Sequence, residues 1–397
     1  MSLGTRDYGP LRAPSFGQAR KPFLARALAK DSWLRKYDWV LLLVVVALSL
    51  AGTLLVYSAT QPSADPRAYL IKQLINVILG LGLLVAVSLL DYRQIRMLVP
   101  IVYVAACLGL IVVLSPLGST VNGAKAWINL PAGFQVEPSE FAKIALVLMI
   151  ALVFGELRDS GRIPRPRHVA GVLALAAVPI ALIEREPALG VVIVLVAITF
   201  GMIALSGLRL RWVAALFGAA ALAVFAVFQL HLLRGYQLDR LTAFLHPLAD
   251  PSGTGYETLH SKIMIGSGGM FGTGLLKSQL VTANFVPNQQ TDFIFSVAGQ
   301  EIGFVGCAVI IALLAVLVFR ALRIASRADD QFGMLVASGI AIWFGLQSFI
   351  NIGMTIGIMP VTGLPLPFVS YGGSAMFADM IAIGVLQSVH RRRSVFK

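Results

Sequence analysis

Several stretches of this sequence carry polar and ionisable side chains at spacings that could do chemistry. In Val136-Glu-Pro-Ser-Glu-Phe-Ala-Lys143, Glu140 precedes Lys143 by three residues, which puts both on one helix face within pairing reach. A charge pair in apolar surroundings marks a functional cavity or an electrostatic glue between helices. In Gln290-Thr-Asp-Phe-Ile-Phe295, Asp292 directly precedes an apolar helix. It is either the cap of that helix or, with its pKa raised near lipid, a general base. Glycines in Ile265-Gly-Ser-Gly-Gly-Met-Phe-Gly-Thr-Gly274 permit tight turns or close approach of amides to an anion. That stretch lacks the Gly-Lys-Ser/Thr ending of a P-loop, so a turn or re-entrant loop is the plainer reading. Tyr236, Arg240, His246, Asp250 and Lys262 lie nearby and could meet a charged lipid head group. In Met359 to Ser374, three prolines and several glycines shape a stiff connection in which Ser370 and Tyr371 could bind sugar hydroxyls or serve structure alone. Trp127 is an interfacial anchor or a sugar-stacking ring.

The elements that must position these groups are membrane helices. The 397 residues are 57% hydrophobic and 13% charged, with mean hydropathy +0.82, against roughly 25% charged in soluble domains. Apolar runs at 39–57, 72–90, 97–115, 139–156, 168–183, 188–206, 211–229, 296–319, 333–357 and 372–389 predict an all-α integral membrane protein of about ten transmembrane helices. A large extracytoplasmic loop, 230–295, falls between the seventh and eighth; it is too polar to span and too long for a turn. The expected organisation is a basic cytoplasmic N-terminal tail (1–38), a membrane domain (39–390) and a basic cytoplasmic C-terminal tail (391–397). The first apolar run has no small-residue cleavage site and reads as a retained helix.

Orientation follows from charge. With both termini cytoplasmic, the inside segments hold 23 of the 32 Lys and Arg residues, as the positive-inside rule requires. The net charge of +13 is then loop asymmetry rather than a nucleic-acid surface, and no nucleic-acid partner is expected. Cys107 and Cys307 match no metal, haem or redox spacing.

Seven motifs, in order, resemble the SEDS family of shape, elongation, division and sporulation proteins. They are Tyr57-Ser-Ala-Thr60, Gly123 to Ile128, Pro138-Ser-Glu-Phe-Ala-Lys143, Gly266-Ser-Gly-Gly269, Thr291-Asp-Phe-Ile-Phe295, Gly303-Phe-Val-Gly306 and Pro365 to Ser374. The opening Asp38-Trp-Val-Leu-Leu looks more like the elongation branch than the division branch. The resemblance implies a peptidoglycan glycosyltransferase in the bacterial inner membrane. Such an enzyme transfers a lipid-linked nascent glycan from its undecaprenyl diphosphate to the GlcNAc 4-hydroxyl of lipid II, on the extracytoplasmic side. It also implies a class B penicillin-binding protein, the elongation machinery and membrane lipids as partners.

By the same resemblance, Asp292 matches an essential loop aspartate, Glu140 and Lys143 a charged pair in the central cavity, and Trp127 a further functional position. On that mechanism Lys143 and Arg240 are candidates to stabilise the departing diphosphate. No cytoplasmic nucleotide is needed on that mechanism, and a divalent cation such as Mg2+ could assist at the diphosphate; no dedicated ligand cluster stands out. Three departures stand beside the match: Gln290 where the family has His, Glu186-Pro-Ala-Leu-Gly190 where it has Gln-Pro-Asp-Leu-Gly, and His260-Ser-Lys262 where it has Gln-Ser-Leu. A lipid II flippase and a non-catalytic scaffold for the penicillin-binding protein are the rival readings, and the same polymerase acting in division is a third.

Overall fold

The computed structural model describes residues 37–121, 124–129, 135–186, 188–230, 235–245 and 254–392. The chain divides into a unit Met1–Tyr37, of which only Tyr37 is described, and a unit Asp38–Lys397. Most of the N-terminal tail, His246, Asp250, residues 393–397 and the side chain of Tyr236 lie outside the described residues.

Each apolar run forms a helix: α1 (Trp39–Ala59), α2 (Pro66–Leu89), α3 (Tyr92–Leu114), α4 (Pro138–Asp159), α5 (Pro166–Ile183), α6 (Leu189–Leu205) and α7 (Leu210–Gln229). After the long loop come α11 (Ile294–Ala325), α12 (Gln331–Ile356) and α13 (Gly373–Arg392). Proline at the first helical position starts α2, α4 and α5, where its missing N–H costs nothing. Asp38, Asp65, Asp91 and Asp330 cap α1, α2, α3 and α12 with their side chains. Among the described residues, seven helices are long and apolar enough to cross a membrane. α12 is the central post, with 72% of its apolar stretch buried, whereas none of that of α7 is buried. Their surroundings differ accordingly: protein encloses one, and lipid is the natural solvent of the other.

Two features lie outside a purely helical reading. Between α3 and α4 is a small antiparallel sheet of β1 (Gly118–Val121), β2 (Ala124–Asn129) and β3 (Gln135–Val136), in the order β1-β2-β3, and β2 carries Trp127. The long loop is itself helical in part, through α8 (Gly235–Leu245), α9 (Thr254–Ser267) and α10 (Gln279–Thr282).

The glycine-rich stretch after α9 has a structural task. Inside α11, Gly303 leaves helical geometry at φ 66°, and the break frees backbone groups in an apolar setting. The glycine stretch supplies their partners: Thr273 N–H donates to Gln300 O at 3.0 Å and Gly274 N–H to Glu301 O at 3.0 Å. In return Phe304 N–H donates to Gly269 O at 2.9 Å and Val305 N–H to Met270 O at 3.1 Å. A side chain on Gly268 or Gly272 would strike the backbone of α11, so glycine is required for this insertion. The stretch is a plug for a broken helix, and these amides are not free for an anion.

At one end of the bundle, helix termini are tied by arginines. Asp38 pairs with Arg320 of α11; its backbone N–H donates to Gln387 Oε1 of α13 and its carbonyl accepts from Gln387 Nε2, both at 3.0 Å. Arg96 pairs with Asp159 at 3.2 Å, Arg392 with Asp330 at 3.4 Å, and Arg158 donates to Ser206 O at 3.2 Å. These contacts join the starts of α1, α3 and α12 to the ends of α4, α6, α11 and α13, as successive helices running in alternating directions require.

Candidate active site

At the opposite end, residues 288–293 form a tight turn leading into α11. The helix cap is Phe293, and no side-chain capping bond forms there, so the capping alternative for Asp292 does not hold. Asn351 of α12 donates to the Asp292 carbonyl at 2.9 Å and to the Leu364 carbonyl at 2.7 Å. Ser370 Oγ donates to Thr291 O at 2.6 Å while accepting from Leu366 N–H at 2.8 Å, and Tyr371 N–H donates to Gln290 O at 2.9 Å. Gln289 Nε2 reaches Ala59 O at 2.8 Å and Val281 O at 2.9 Å. The turn is thus fastened to α1, α12 and the proline-rich connection, which leaves the Asp292 side chain as its unfastened part. Preorganisation of this kind is what a reacting group needs. Gly363, at φ 73°, faces the carboxylate: a Cβ there would stand 3.6 Å from Oδ2.

Burial pushes the Asp292 carboxyl up from 3.8 to about 6, against the opposing pull of the Thr291 side chain and the charge of Arg240. Arg240, half-buried on α8, also acts on Glu257 of α9, whose carboxyl is raised by burial and by Asp292. Glu137, just before α4, is pushed up to about 7 by burial and then by Glu140; it also feels Lys143 and Asp292. Glu186 in the α5–α6 connection is fully buried with neither oxygen hydrogen-bonded, and burial and Glu137 push it up to about 8. A carboxyl near 6 is mostly ionised at neutral pH yet more basic than an ordinary carboxylate, which suits it to accept a proton there.

Deeper in the bundle, Lys143 and Glu140 form a buried ion pair at 2.7 Å. Lys143 Nζ also donates to Gln347 Oε1 at 2.9 Å, an oxygen shared with Trp343 Nε1 at 2.7 Å, and lies 4.9 Å from the centre of the Trp343 ring. Gln347 Nε2 continues to Pro365 O at 2.8 Å. Asp379 of α13 is buried beside this pair; its nearest interactions are electrostatic, with Lys143, Glu140 and the Phe368 amide.

The candidate residues therefore separate into groups. Arg240 acts directly on Asp292, and Glu137 links Asp292 electrostatically to the Glu140–Lys143 pair. Ser370 positions the turn. Tyr371 is half-buried with its ring 5.3 Å from that of Tyr69. Trp127 sits half-buried in β2, opposite Ser119. Lys262 lies exposed against Gly357 at the end of α12. Residue-by-residue reading missed Glu137, Glu186, Gln347, Asn351 and Asp379. Trp343, Gln347 and Asn351 recur every four residues, a polar stripe on one face of α12 that could have marked it as lining the site. Beside the turn is a cavity of about 300 Å³ whose lining includes Ser63, Asn284, Asn288 and Gln290.

A model of the FtsW/RodA/SpoVE family, described as cell cycle protein, matches residues 38–395. The chain belongs to this family. The SEDS resemblance read from the seven motifs is borne out along the membrane unit. One relative, named "probable peptidoglycan glycosyltransferase FtsW", from Trichlorobacter lovleyi, is 38% identical over 369 residues, which is 91% of this chain and 95% of the relative. A solved structure described as "structural coordination of polymerization and crosslinking by a peptidoglycan synthase complex" contains a chain 30% identical, with TM-score 0.73, covering 90% of this chain and 98% of that one. The rod shape determining protein RodA of Thermus thermophilus is 29% identical with TM-score 0.67, covering 91% and 98%. The family likeness thus spans the whole bundle, and this FtsW/RodA/SpoVE member is a helical multi-pass membrane protein.

Proposed function

We propose that this chain is a peptidoglycan glycosyltransferase that polymerises glycan strands from lipid II. The observation that carries the reading is Asp292, a carboxylate pushed up to about 6 on a turn fastened from three sides and within the electrostatic reach of Arg240. The relative named a glycosyltransferase and the likeness to a chain of a peptidoglycan synthase complex support it.

In the reaction, Asp292 takes the proton of the acceptor GlcNAc 4-hydroxyl as that oxygen bonds to the donor C1. The bond from C1 to the diphosphate oxygen breaks, the α-linked donor inverts to a β-1,4 bond, and undecaprenyl diphosphate leaves with its negative charge facing Arg240. Lys262 offers a further cation. Tyr371, Trp127 and the amide groups lining the 300 Å³ cavity suit sugar rings and hydroxyls. The Glu140–Lys143 pair is too enclosed in this conformation to touch a diphosphate and acts on the site electrostatically through Glu137. No group of three or more His, Cys, Asp or Glu side chains suited to a metal gathers among the described residues. A divalent cation that assists would therefore arrive with the diphosphate.

The same reading takes the ten helices as spans, with the tails and the arginine-tied end cytoplasmic and Asp292 outside. A class B penicillin-binding protein is the partner that cross-links the product. Identity to an FtsW relative and likeness to RodA leave division and elongation both open to the enzyme, with elongation favoured by the N-terminal motif.

The test is polymerisation of purified lipid II by the membrane-reconstituted chain with its penicillin-binding protein. Asp292→Ala is expected to lower the rate by at least about 100-fold, the scale of general-base loss, with thermal stability no lower than wild type. A folded variant that polymerises at the wild-type rate would sink the assignment. Lipid II appearing in the opposite leaflet without new glycosidic bonds would favour a flippase instead.

A further inference from the structure

The end of the bundle opposite Asp292 carries a feature that glycan polymerisation does not use. Between α5 and α7 runs an apolar groove of about 260 Å³, lined by Pro166, Val169, Leu173, Leu208, Trp212 and Leu216 among others. Its mouth lies where both helices begin, and there Arg162, Arg165, Arg167, Arg209 and Arg211 are all exposed. None of the five pairs with a carboxylate among the described residues. Arg162, Arg165 and Arg167 act together on the His168 ring, and the Arg211 guanidinium lies 5.8 Å from the centre of the Trp212 ring. Positive charge is therefore concentrated at the rim of an apolar slot.

We propose that this groove binds one anionic phospholipid, with the phosphate among the arginines and an acyl chain along the slot. Charge and shape select this occupant together. A soluble anion would use the arginines and leave the apolar slot empty, whereas a neutral lipid would fill the slot and leave five cations uncompensated. None of the described residues in the apolar stretch of α7 is buried, so lipid already surrounds the outer wall of the groove. The bound lipid steadies α7, the helix that leads into the loop carrying Arg240. The inference rests on the chain spanning a membrane and is independent of the glycosyltransferase reading, because its readout is lipid binding.

The experiment uses the full chain in phosphatidylcholine nanodiscs with and without phosphatidylglycerol, followed by native mass spectrometry and thermal unfolding. Retention of one phosphatidylglycerol and a raised Tm are expected. The variant R165Q/R167Q/R211Q is expected to bind it roughly 100-fold more weakly, at about five-fold for each basic residue near an anionic lipid. Ala215→Phe, which fills the slot and keeps the arginines, is expected to lose the lipid as well, and Arg327→Gln at the same end of the bundle to keep it. Retention by the triple variant, retention by Ala215→Phe, or equal stabilisation by inorganic phosphate alone would each overturn the proposal.

Discussion

The two ends of this bundle handle charge in opposite ways. At the arginine-tied end, carboxylates meet cations directly: Asp38 with Arg320, Asp159 with Arg96, Asp330 with Arg392. At the other end, Glu137, Glu186, Glu257 and Asp292 influence one another pairwise, Arg240 acts on Glu257 and Asp292, and burial raises the pKa of all four carboxyls. Paired charges near water hold helix ends in register at modest energetic gain. Buried, under-compensated carboxylates oppose folding, and they persist where a group must exchange protons. One end is built for assembly and the other for chemistry.

The largest way to break that contrast is to remove Lys143, the one fully buried cation among the described residues. Lys143→Met leaves Glu140 and Asp379 facing each other without compensation, and a loss of about 3–5 kcal/mol is expected in thermal or chemical unfolding of the reconstituted protein. Adding Glu140→Gln and Asp379→Asn is expected to recover most of it. Absence of recovery would mean that Lys143 acts through its packing on Trp343.

Glu186→Gln follows in size, with opposite sign. The folded-state carboxyl near 8 lies above its ordinary 4.5, so the folded protein keeps a proton that the unfolded chain releases. Stability from this group is full below about 4.5 and is lost as pH rises to about 8. The variant should therefore match wild type in acid and exceed it progressively toward pH 8, by at most about 1.4 kcal/mol for each pH unit, read as the difference in unfolding free energy across that range. At the arginine-tied end, Asp38→Asn keeps the helix cap but cuts the Arg320 pair, for a loss of about 1–2 kcal/mol in unfolding free energy.

Much of this architecture was legible before any coordinates, because length and apolarity alone specify membrane helices. The ten apolar runs each became a helix, and Asp65, Asp330 and Pro138 stand at helix starts as their types predict. Charge counting placed the arginines at one end, where the contacts of Arg96, Arg158 and Arg320 lie. The small sheet escaped notice because its strands of 4, 6 and 2 residues carry no sustained alternation. The glycine stretch was ambiguous because its partner, the break at Gly303, lies about thirty residues onward. Glu137, Glu186 and Asp379 have no cation at helical spacing, and what makes them notable is burial, a tertiary fact. The intramembrane rule could still have singled out Asp379, an acid within an apolar helix.

Arg240 gives the smallest and most discriminating test, because it has two separable tasks at Asp292. As a neighbouring cation it holds the Asp292 carboxyl below what burial alone would produce. A general base works only when ionised, so the wild-type rate should fall below pH of about 6, with unit slope in log rate. Arg240→Gln removes the cation, and the acid limb should move upward by less than about one pH unit. Facing the departing diphosphate, the same residue should also lower the rate on the plateau above the limb. Arg240→Lys keeps the charge and should restore the limb, while a residual plateau deficit would measure what guanidinium geometry adds. A plateau that falls while the limb stays fixed would assign Arg240 to the diphosphate alone. A limb that moves while the plateau holds would make it a positioning charge for Asp292, and the diphosphate would then need another cation, with Lys262 the nearest candidate in sequence.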